Sequence, residues 1–328
     1  MSLMPLLASE FLGQPASAWL IFLIIILTLL AFDLGFANRG DHEIGIGRSL
    51  IFSAFYIGVA LAFGGWVWLD LGAAAGMDYL TAFLVEKSLA LDNIFVISLI
   101  FGAFAIPRAY QHRVLFWGIV GVVVLRAIMI GLGAALITNF SWILYVFGGF
   151  LLITGVKMLF AGDEPVDIEK NPIIRFVRRF IPVSSKLDGH RFLTHEPATA
   201  GGRARLVATP LLLALVTIEI ADIVFAVDSV PAVFAITTDP YIVYTSNIFA
   251  ILGLRALYFA LAAAVHRFHY LKYALALVLI AVGVKIFWAH LVGPVESWIS
   301  LTLTAGLLGG GVIVSLLKTR DEAEAQRG

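Results

Sequence analysis

Residues 85–97 read VEKSLALDNIFVI, and residues 221–233 repeat this pattern in outline as ADIVFAVDSVPAV. In each copy an acidic residue lies six positions before an aspartate, and a small polar residue follows that aspartate. Both copies lie in apolar segments long enough to cross a bilayer, where one charged side chain costs from about 3 to more than 10 kcal/mol. Charge retained at such a cost indicates a path for ions or protons. The residues concerned are Glu86, Asp92 and Asn93 in the first copy and Asp222, Asp228 and Ser229 in the second.

The composition indicates a membrane protein. Of the 328 residues, 61% are hydrophobic and 13% are charged, and the mean hydropathy is +0.98, whereas soluble domains have about 45–50% apolar and 25% charged residues. The formal net charge of zero does not indicate a nucleic-acid partner, and the lack of cysteine excludes disulfides and thiolate metal sites. The sequence shows neither a nucleophile–base constellation nor a cofactor fingerprint, so we expect neither an enzyme nor a prosthetic group.

The apolar segments predict an all-α, polytopic membrane protein with one transmembrane domain over residues 1–328. A crossing helix needs about 20 mostly apolar residues, and nine segments meet that requirement. Residues 161–205 are predicted to form a linker loop between the fifth and sixth spans, and residues 319–328 a disordered tail. The predicted spans are 18–36, 49–70, 78–104, 114–137, 141–160, 206–236, 241–265, 271–290 and 296–317.

Lysine and arginine predict the orientation, because cytoplasmic loops are enriched in both. With the N-terminus outside, the cytoplasmic segments hold 17 of the 22 basic residues, the outer loops hold none, and five lie inside spans. The linker loop and the C-terminal tail are then cytoplasmic. Within the loop, residues 171–180 read NPIIRFVRRF, which is typical of a short amphipathic helix on anionic lipid. Ordinary enrichment of cytoplasmic loops in positive charge explains these arginines equally well.

Three ordered matches predict an inverted repeat. Besides the acidic copies, Leu125-Arg126-Ala127 recurs as Leu254-Arg255-Ala256, and Gly155-Val156-Lys157 recurs as Gly283-Val284-Lys285. Spans 3–5, residues 78–160, therefore correspond to spans 6–8, residues 206–290. An offset of three spans reverses the direction across the membrane, and inverted repeats of this kind place binding sites of secondary transporters near the midplane.

The acidic residues in or near the spans form the predicted cation site. Carboxylate and amide oxygens suit magnesium, calcium or manganese. Pro231 cannot donate to the Val227 carbonyl, so we expect a helix break that frees this carbonyl as a further ligand. Other interpretations are solvation of Asp33 at a span end and hydrogen bonds from Glu219, Asn93 and Ser229 to neighbouring helices. The candidate ligands are Asp33, Glu86, Asp92, Asn93, Glu219, Asp222 and Asp228.

Arg126 and Arg255 lie near the middle of the fourth and seventh predicted spans. Buried arginines need anionic partners, so we expect both to pair with the candidate carboxylates. Two roles are open for them: permanent structural bridges, or charges that neutralise the site after a cation has left. Lys157 and Lys285 lie near span ends, where their side chains can extend to the interface. The partner of Lys87 is not predicted.

At these residues the chain resembles the TerC/Alx family of integral membrane proteins. The resemblance covers roughly residues 30–290 and rests on several quoted segments. It implies export of manganese(II) across the bacterial inner membrane through a site drawn from the seven candidate ligands, with tellurite resistance as the origin of the family name. The segments are FDLGFANR (32–39), FLVEKSLALDNIFVISLIF (83–101), YQHRVLFWGI (110–119), NPIIRFVRRFIPV (171–183), IEIADIVFAVDSVPAVFAITTDP (218–240) and SNIFAILGLRALYF (246–259).

The leading functional hypothesis is a secondary exporter of a divalent cation. Manganese is the ion that the resemblance implies, whereas the ligand types alone also fit magnesium and calcium. Proton antiport is one form of coupling open to such a site, because carboxylates can exchange metal for protons; the coupling ion does not follow from the sequence. One alternative is a membrane scaffold that assists protein assembly or stress responses, in which the buried charges are structural pairs. Another is a carrier of protons or monovalent cations. The oligomeric state and the coupling ratio do not follow from the sequence.

Overall fold

A computed structural model describes residues 9–37, 46–160, 184, 187–196, 205–261 and 271–325. The predicted amphipathic helix in residues 171–180 lies outside these residues. The described chain is almost entirely helical, as the sequence predicts. The helices are α1 (Ala16–Ala37), α2 (Ile46–Leu71), α3 (Ala73–Ala103), α4 (Arg108–Asn139), α5 (Ile143–Phe160), α6 (Pro210–Ile236), α7 (Pro240–Leu252), α8 (Leu254–Leu261), α9 (Leu271–Leu291) and α10 (Ser297–Ala325).

Eight helical segments are long and apolar enough to cross a membrane, with α7 and α8 together forming one of them. The third predicted span, α3, is also long enough to cross a membrane at 31 residues, but it carries four charged residues, Asp78, Glu86, Lys87 and Asp92. Leucine and isoleucine side chains such as Leu132, Ile153 and Leu291 are exposed around the bundle. A surface of this kind suits contact with lipid rather than water.

The helix boundaries have local causes. Pro210 and Pro240 occupy the first turns of α6 and α7, where a missing N–H costs nothing. Asp239 caps α7, because its carboxylate accepts a hydrogen bond from the Tyr241 N–H at 2.8 Å. Such caps satisfy backbone donors that would otherwise be unpaired at the start of a helix. The second proline therefore fixes where α7 enters the bundle.

Helix α7 lies at the centre of the bundle. The span formed by α7 and α8 is the most deeply buried of the eight. On one side, Tyr241 packs against Trp19 of α1 with a ring separation of 5.0 Å, and Phe249 packs against Phe63 of α2 at 4.7 Å. On the other side, Val243 joins a core shared with α3, α4 and α6. Residues on α7 consequently face either the α1–α2 pair or the two predicted repeats.

The helix packing agrees with an exchange of the two predicted repeats. Helix α3 packs against α7 and α4 packs against α6, while α3–α6 and α5–α9 are further contacting pairs. Exchanging α3 with α6, α4 with α7–α8, and α5 with α9 maps these contacts onto one another. The inverted repeat itself stays a prediction, because helix contacts alone do not establish the symmetry operation.

The structure corrects the predicted position of a helix break. Helix α6 continues through Pro231, so the expected interruption beside Asp228 is wrong. The break lies at Gly253 instead, between α7 and α8. A proline removes one hydrogen bond and bends a helix, but a helix fixed by neighbours on several sides retains the remaining bonds.

Two smaller predictions also change. Residues 319–325, expected in a disordered tail, continue α10, which fits the high helix propensity of Arg, Glu and Ala. The all-α description omits two short antiparallel sheets: β1 (Glu10–Phe11) with β2 (Gln14–Pro15), and β3 (Leu193–Glu196) with β4 (Arg205–Ala208). The second sheet spans the end of the linker loop, and the Thr209 hydroxyl ties it to the start of α6 by donating to the Arg191 carbonyl at 2.7 Å.

Candidate cation site

The Arg126 guanidinium occupies the centre of the bundle and binds side chains from two other helices. It lies 18 residues into the 32-residue α4, and only 1% of it is exposed. Its Nε and Nη2 donate to the two oxygens of Asp222 at 3.1 and 3.0 Å. This bidentate geometry is the strong form of an arginine–carboxylate pair. The predicted pairing of Arg126 with the repeat carboxylates is thus present in the structure.

The Nη1 atom of Arg126 completes the cluster. It donates to Glu86 Oε1 and, at 2.6 Å, to the Ser229 hydroxyl. The Asn93 amide donates to Asp222 Oδ1 at 3.4 Å. We call these five residues, Glu86, Asn93, Arg126, Asp222 and Ser229, the Arg126 cluster; four of them come from the two acidic sequence copies.

Close packing of α4 on α6 brings the guanidinium to Asp222. A Cβ added at Gly133 would lie 2.7 Å from the Phe234 ring, and one added at Gly121 would overlap the Glu219 carboxylate. Both positions therefore need glycine for the two helices to approach this closely. Asp222 and Ser229 are seven residues apart on α6, which places them on one helical face. That face meets Arg126.

The charges of the Arg126 cluster do not balance. Two carboxylates share one guanidinium, so the cluster has a formal charge of −1 when both are ionised. Glu86 is 1% exposed and Asp222 is 5% exposed. Among the described residues, Glu86 Oε2 is buried without a hydrogen-bond partner. An excess negative charge in a buried site requires a bound cation or proton.

Arg255 forms a second and separate cluster with Asp33. Its Nη2 donates to Asp33 Oδ1, and the Tyr56 hydroxyl donates to the same oxygen at 3.1 Å. We call Asp33, Tyr56 and Arg255 the Arg255 cluster. It joins α8 to α1 and α2, and it pairs one carboxylate with one guanidinium. Asp33 is buried, so the alternative of a solvated carboxylate at the span end is wrong.

Lys87 supports the helix break between these clusters. In a continuous helix the Ala250 carbonyl would accept from the backbone of residue 254. Here the Lys87 ammonium donates to that carbonyl at 3.0 Å. A Cβ on Gly253 would lie 3.0 Å from the Lys87 Nζ atom and 3.1 Å from the Tyr56 Cβ atom. Adjacent residues of α3 thus reach two sites: Glu86 binds Arg126, and Lys87 binds the end of α7.

Three predicted ligands lie outside the two clusters. Glu219 is half-buried beside Gly121, and its Oε2 has no hydrogen-bond partner among the described residues. Asp228 is half-buried and experiences the charge of Lys157 on α5. Asp92 belongs to α3, but its side chain lies outside the described part. The seven candidates consequently do not converge on one point within the described structure.

A preformed metal cage is not part of this arrangement. Within the described ranges, no group of three or more histidine or acidic side chains is placed to hold a metal ion. Glu86 and Asp222 are near one another, but they hold the guanidinium of Arg126 between them. A cation at this position would have to replace some of the contacts that Arg126 makes.

A narrow cavity leads to the Arg126 cluster. Asn93 and Asp222 form its polar end, and its walls are apolar side chains that include Leu115, Ile218 and Leu254. All wall residues from α4 precede Arg126, and Ile218 and Ala221 of α6 precede Asp222, while Phe225 follows it. The cavity therefore lies mainly on the side of the cluster where α4 begins. This is the cytoplasmic end in the predicted orientation.

Sequence reasoning missed several polar contacts. Lys285 was expected to extend to the interface, yet it donates to the Ile236 carbonyl at the end of α6 at 3.1 Å and lies within electrostatic range of Asp78. The roles of Tyr56, Lys87 and Gly253 depend on tertiary contacts with distant helices. For Lys87 there was one available signal, because a lysine within an apolar span requires a partner.

Comparison with known proteins identifies the family. The model of the integral membrane protein TerC family matches residues 71–323. An uncharacterised membrane protein of Myxococcus xanthus is 48% identical over 309 residues, which cover 94% of each chain. One from Rickettsia bellii is 46% identical over 301 residues, covering 92% of this chain and 97% of the relative.

A further relative has a functional description. A protein of Escherichia coli (strain K12), provisionally described as the membrane-bound redox modulator Alx, is 42% identical over 276 residues; these cover 81% of this chain and 84% of the relative. No solved structure matches the chain. The family model extends over most of the chain, and its range includes both acidic copies, Arg126 and Arg255. The chain belongs to the TerC family of integral membrane proteins.

Proposed function

We propose that this protein exports a divalent cation, with Mn²⁺ as the transported ion, through the Arg126 cluster. The observation that carries the proposal is the charge of that cluster, in which two buried carboxylates share one guanidinium. A cation or proton is required to balance the remaining negative charge. Oxygen ligands from carboxylates and amides suit manganese, magnesium and calcium, and the family resemblance favours manganese among them.

Arg126 is proposed to compete with the cation for Glu86 and Asp222. When the cation binds, the guanidinium gives up part of its contacts; when the cation leaves, it neutralises the carboxylates again. Because the guanidinium or the cation always neutralises part of the negative charge, the free-energy cost of exposing the site first to one side of the membrane and then to the other is lower. Secondary transport with proton antiport follows naturally, because carboxylates that release a metal can accept protons.

We also propose in which membrane the protein lies and how it is oriented. It lies in the bacterial inner membrane with the N-terminus outside and the C-terminus in the cytoplasm, an orientation that the distribution of lysine and arginine favours. The cavity that reaches Asn93 and Asp222 then serves as the cytoplasmic entrance. The basic linker loop 161–205 contacts anionic lipid on that side.

The description of the Alx relative as a redox modulator is compatible with this proposal. The present chain has no cysteine, so thiol–disulfide exchange on its own side chains is not available as a mechanism. Manganese changes oxidation state readily, and a transporter that alters its supply changes the redox chemistry of a compartment without carrying a redox group. No prosthetic group and no enzymatic activity form part of the proposal.

The test is Mn²⁺ flux in liposomes that contain the purified protein. The wild type should move Mn²⁺ above the level of empty liposomes, whereas Glu86→Gln and Asp222→Asn should lose most of the flux while retaining the fold. Glu296→Gln, which changes a carboxylate outside the helices and both clusters, is the matched control and should transport normally. Wild-type flux at the level of empty liposomes, or full flux in both cluster variants, overturns the proposal. Flux of protons or monovalent cations that Mn²⁺ does not reduce favours the carrier alternative instead.

One observation favours a second function, that of a scaffold for membrane-protein assembly. Arg126 makes hydrogen bonds with Glu86, Asp222 and Ser229, and a guanidinium held this fully is typical of a structural bridge. In that case Glu86→Gln and Asp222→Asn lower the thermal stability and change no metal-dependent property. Measuring the thermal unfolding midpoint with and without Mn²⁺ separates the two functions, since only a transporter of Mn²⁺ is stabilised by the ion.

A further inference from the structure

Asn247 of α7 is the most unusual buried polar residue in the described structure. Its side chain is 0% exposed, and neither its Oδ1 nor its Nδ2 has a hydrogen-bond partner among the described residues. An amide can make about four hydrogen bonds, and leaving them unmade in the interior is costly. Buried groups of this kind are commonly satisfied by a water or an ion.

The helical position of Asn247 shows which side of α7 it occupies. Val243 belongs to the core shared with α3, α4 and α6, whereas Tyr241 and Phe249 face α1 and α2. Tyr244 borders both sides, because its ring packs against Trp19 of α1 and its hydroxyl reaches α4. Successive residues turn by about 100°, so Asn247 lies midway between Val243 and Tyr244 around the helix axis. It therefore faces the helices that carry Glu86, Arg126 and Asp222.

Two contacts fix the level of Asn247 along the bundle. The Tyr244 hydroxyl, one turn earlier, donates to the Ala127 carbonyl at 2.6 Å, next to Arg126. The Ala250 carbonyl, one turn later, accepts from Lys87 at 3.0 Å, next to Glu86. Each of these positions is three residues, about 4.5 Å of helix rise, from Asn247. The amide thus lies at the depth of the Arg126 cluster.

We propose that Asn247 and Glu86 Oε2 form the polar walls of a site for a partly hydrated divalent cation. Glu86 supplies the charged oxygen that Arg126 leaves free, and Asn247 supplies a neutral oxygen from the opposite helix; waters occupy the remaining positions. Hard cations accept such a mixed set of carboxylate, amide and water ligands. This inference deepens the proposed function, on which it rests, by adding a ligand from α7 that neither acidic sequence copy contains.

The experiment measures Mn²⁺ affinity and thermal unfolding of the purified full-length protein, using MnCl₂ as the probe. Asn247→Leu has a similar volume and no polar atoms, so it should weaken Mn²⁺ binding at least tenfold and raise the unfolding midpoint in the absence of the ion. Ser246→Ala is the matched control, because Ser246 is equally buried but its hydroxyl already donates to the Ile242 carbonyl at 2.7 Å. It should bind Mn²⁺ like the wild type. Unchanged affinity in Asn247→Leu overturns the inference.

A second variant covers the case in which Asn247→Leu does not fold. Asn247→Asp keeps the shape and adds a carboxylate to the site, so it should bind Mn²⁺ more tightly than the wild type by severalfold; equal affinity contradicts the inference. Measuring transport and binding together separates the two proposals. If the wild type transports Mn²⁺ but the Asn247 variants bind it like the wild type, only the site proposed here is overturned. If Mn²⁺ binding depends on Asn247 but the wild type does not transport Mn²⁺, only the proposal of export is overturned. Absence of any Mn²⁺ binding by the wild type overturns both.

Discussion

The Arg126 and Arg255 clusters are centred on equivalent arginines of the two predicted repeats but differ in their other members and in their charge. Arg126 binds Glu86 and Asp222, one from each acidic copy, so one positive charge faces two negative charges. Arg255 binds Asp33, which comes from α1 and therefore from outside both repeats. The first cluster needs another cation or proton, and the second is balanced. One repeat-related arginine is thus shared by carboxylates of both acidic copies, whereas the other ties α8 to α1 and α2.

The largest expected effect comes from removing the arginine of the unbalanced cluster. Arg126→Met leaves two buried carboxylates without their counter-charge and should destabilise the protein by about 3–5 kcal/mol, measured by chemical or thermal unfolding in detergent. Arg126→Lys keeps the positive charge but loses the bidentate geometry, so its loss should be clearly smaller. If both variants unfold like the wild type, the cluster does not stabilise the bundle.

Removing the arginine of the balanced cluster should cost less. Arg255→Met leaves one buried carboxylate, to which the Tyr56 hydroxyl still donates, and about 2–4 kcal/mol of stability should be lost. Adding Asp33→Asn should recover part of that loss, because the uncompensated charge is removed as well. A double variant that is less stable than the sum of the two single variants contradicts the pairing of these residues.

Filling the space beside Glu219 tests the close packing that supports the Arg126 cluster. In Gly121→Ala the new methyl group overlaps the Glu219 carboxylate, so that side chain or α6 must move, and overpacking of this kind costs about 1–3 kcal/mol. Gly118→Ala on the same helix is the control, because its nearest neighbours lie at an ordinary 3.8 Å. Equal unfolding midpoints for the two variants would show that the contact between α4 and α6 accommodates an added methyl group and is not closely packed.

The smallest effect is expected at the helix break. Lys87→Met removes the donor to the Ala250 carbonyl and should cost about 1–2 kcal/mol, with faster hydrogen exchange of the amides around Gly253. Lys87→Arg preserves a donor and should retain most of the stability. Exchange rates that do not respond to Lys87→Met contradict its role at the break.

Much of this architecture follows from local sequence patterns. Each of the nine predicted spans coincides in its described part with a helix or, for the seventh, with α7 and α8, because hydrophobic length is a direct requirement of the bilayer. The ends differ most at the start of α4 and the end of α10, where the helices extend beyond the apolar segments. The convergence of Glu86 and Asp222 on Arg126 was expected from the repeat and from the need of a buried arginine for anions. The structure thus brings Glu86 and Asp222 together at Arg126, whereas Glu219 and Asp228 lie outside the cluster and the side chain of Asp92 is not described. That these residues bind a cation stays a prediction.

Other features could not be predicted because they depend on distant contacts. Pro231 has the stronger local tendency to break a helix, yet α6 continues through it while α7 ends at Leu252. The end of α7 is stabilised by Lys87 from α3, which binds the Ala250 carbonyl. The sequence around Gly253 does not indicate that a lysine from another helix makes this contact. Likewise, the sequence shows Asn247 only as a polar residue in an apolar segment. That its amide is buried without a partner among the described residues follows only from the structure.

The interruption at Gly253 leaves two helix ends inside the apolar region, each with a partial charge. The C-terminal end of α7 is partially negative and the N-terminal end of α8 is partially positive. Lys87 lies at the first end, so a positive group meets the negative end of that dipole. At the second end, the charge of Arg255 in the first turn of α8 is compensated by Asp33 and is not simply added to the positive end of the dipole. One interruption is thereby held by α3 on one side and by α1 on the other.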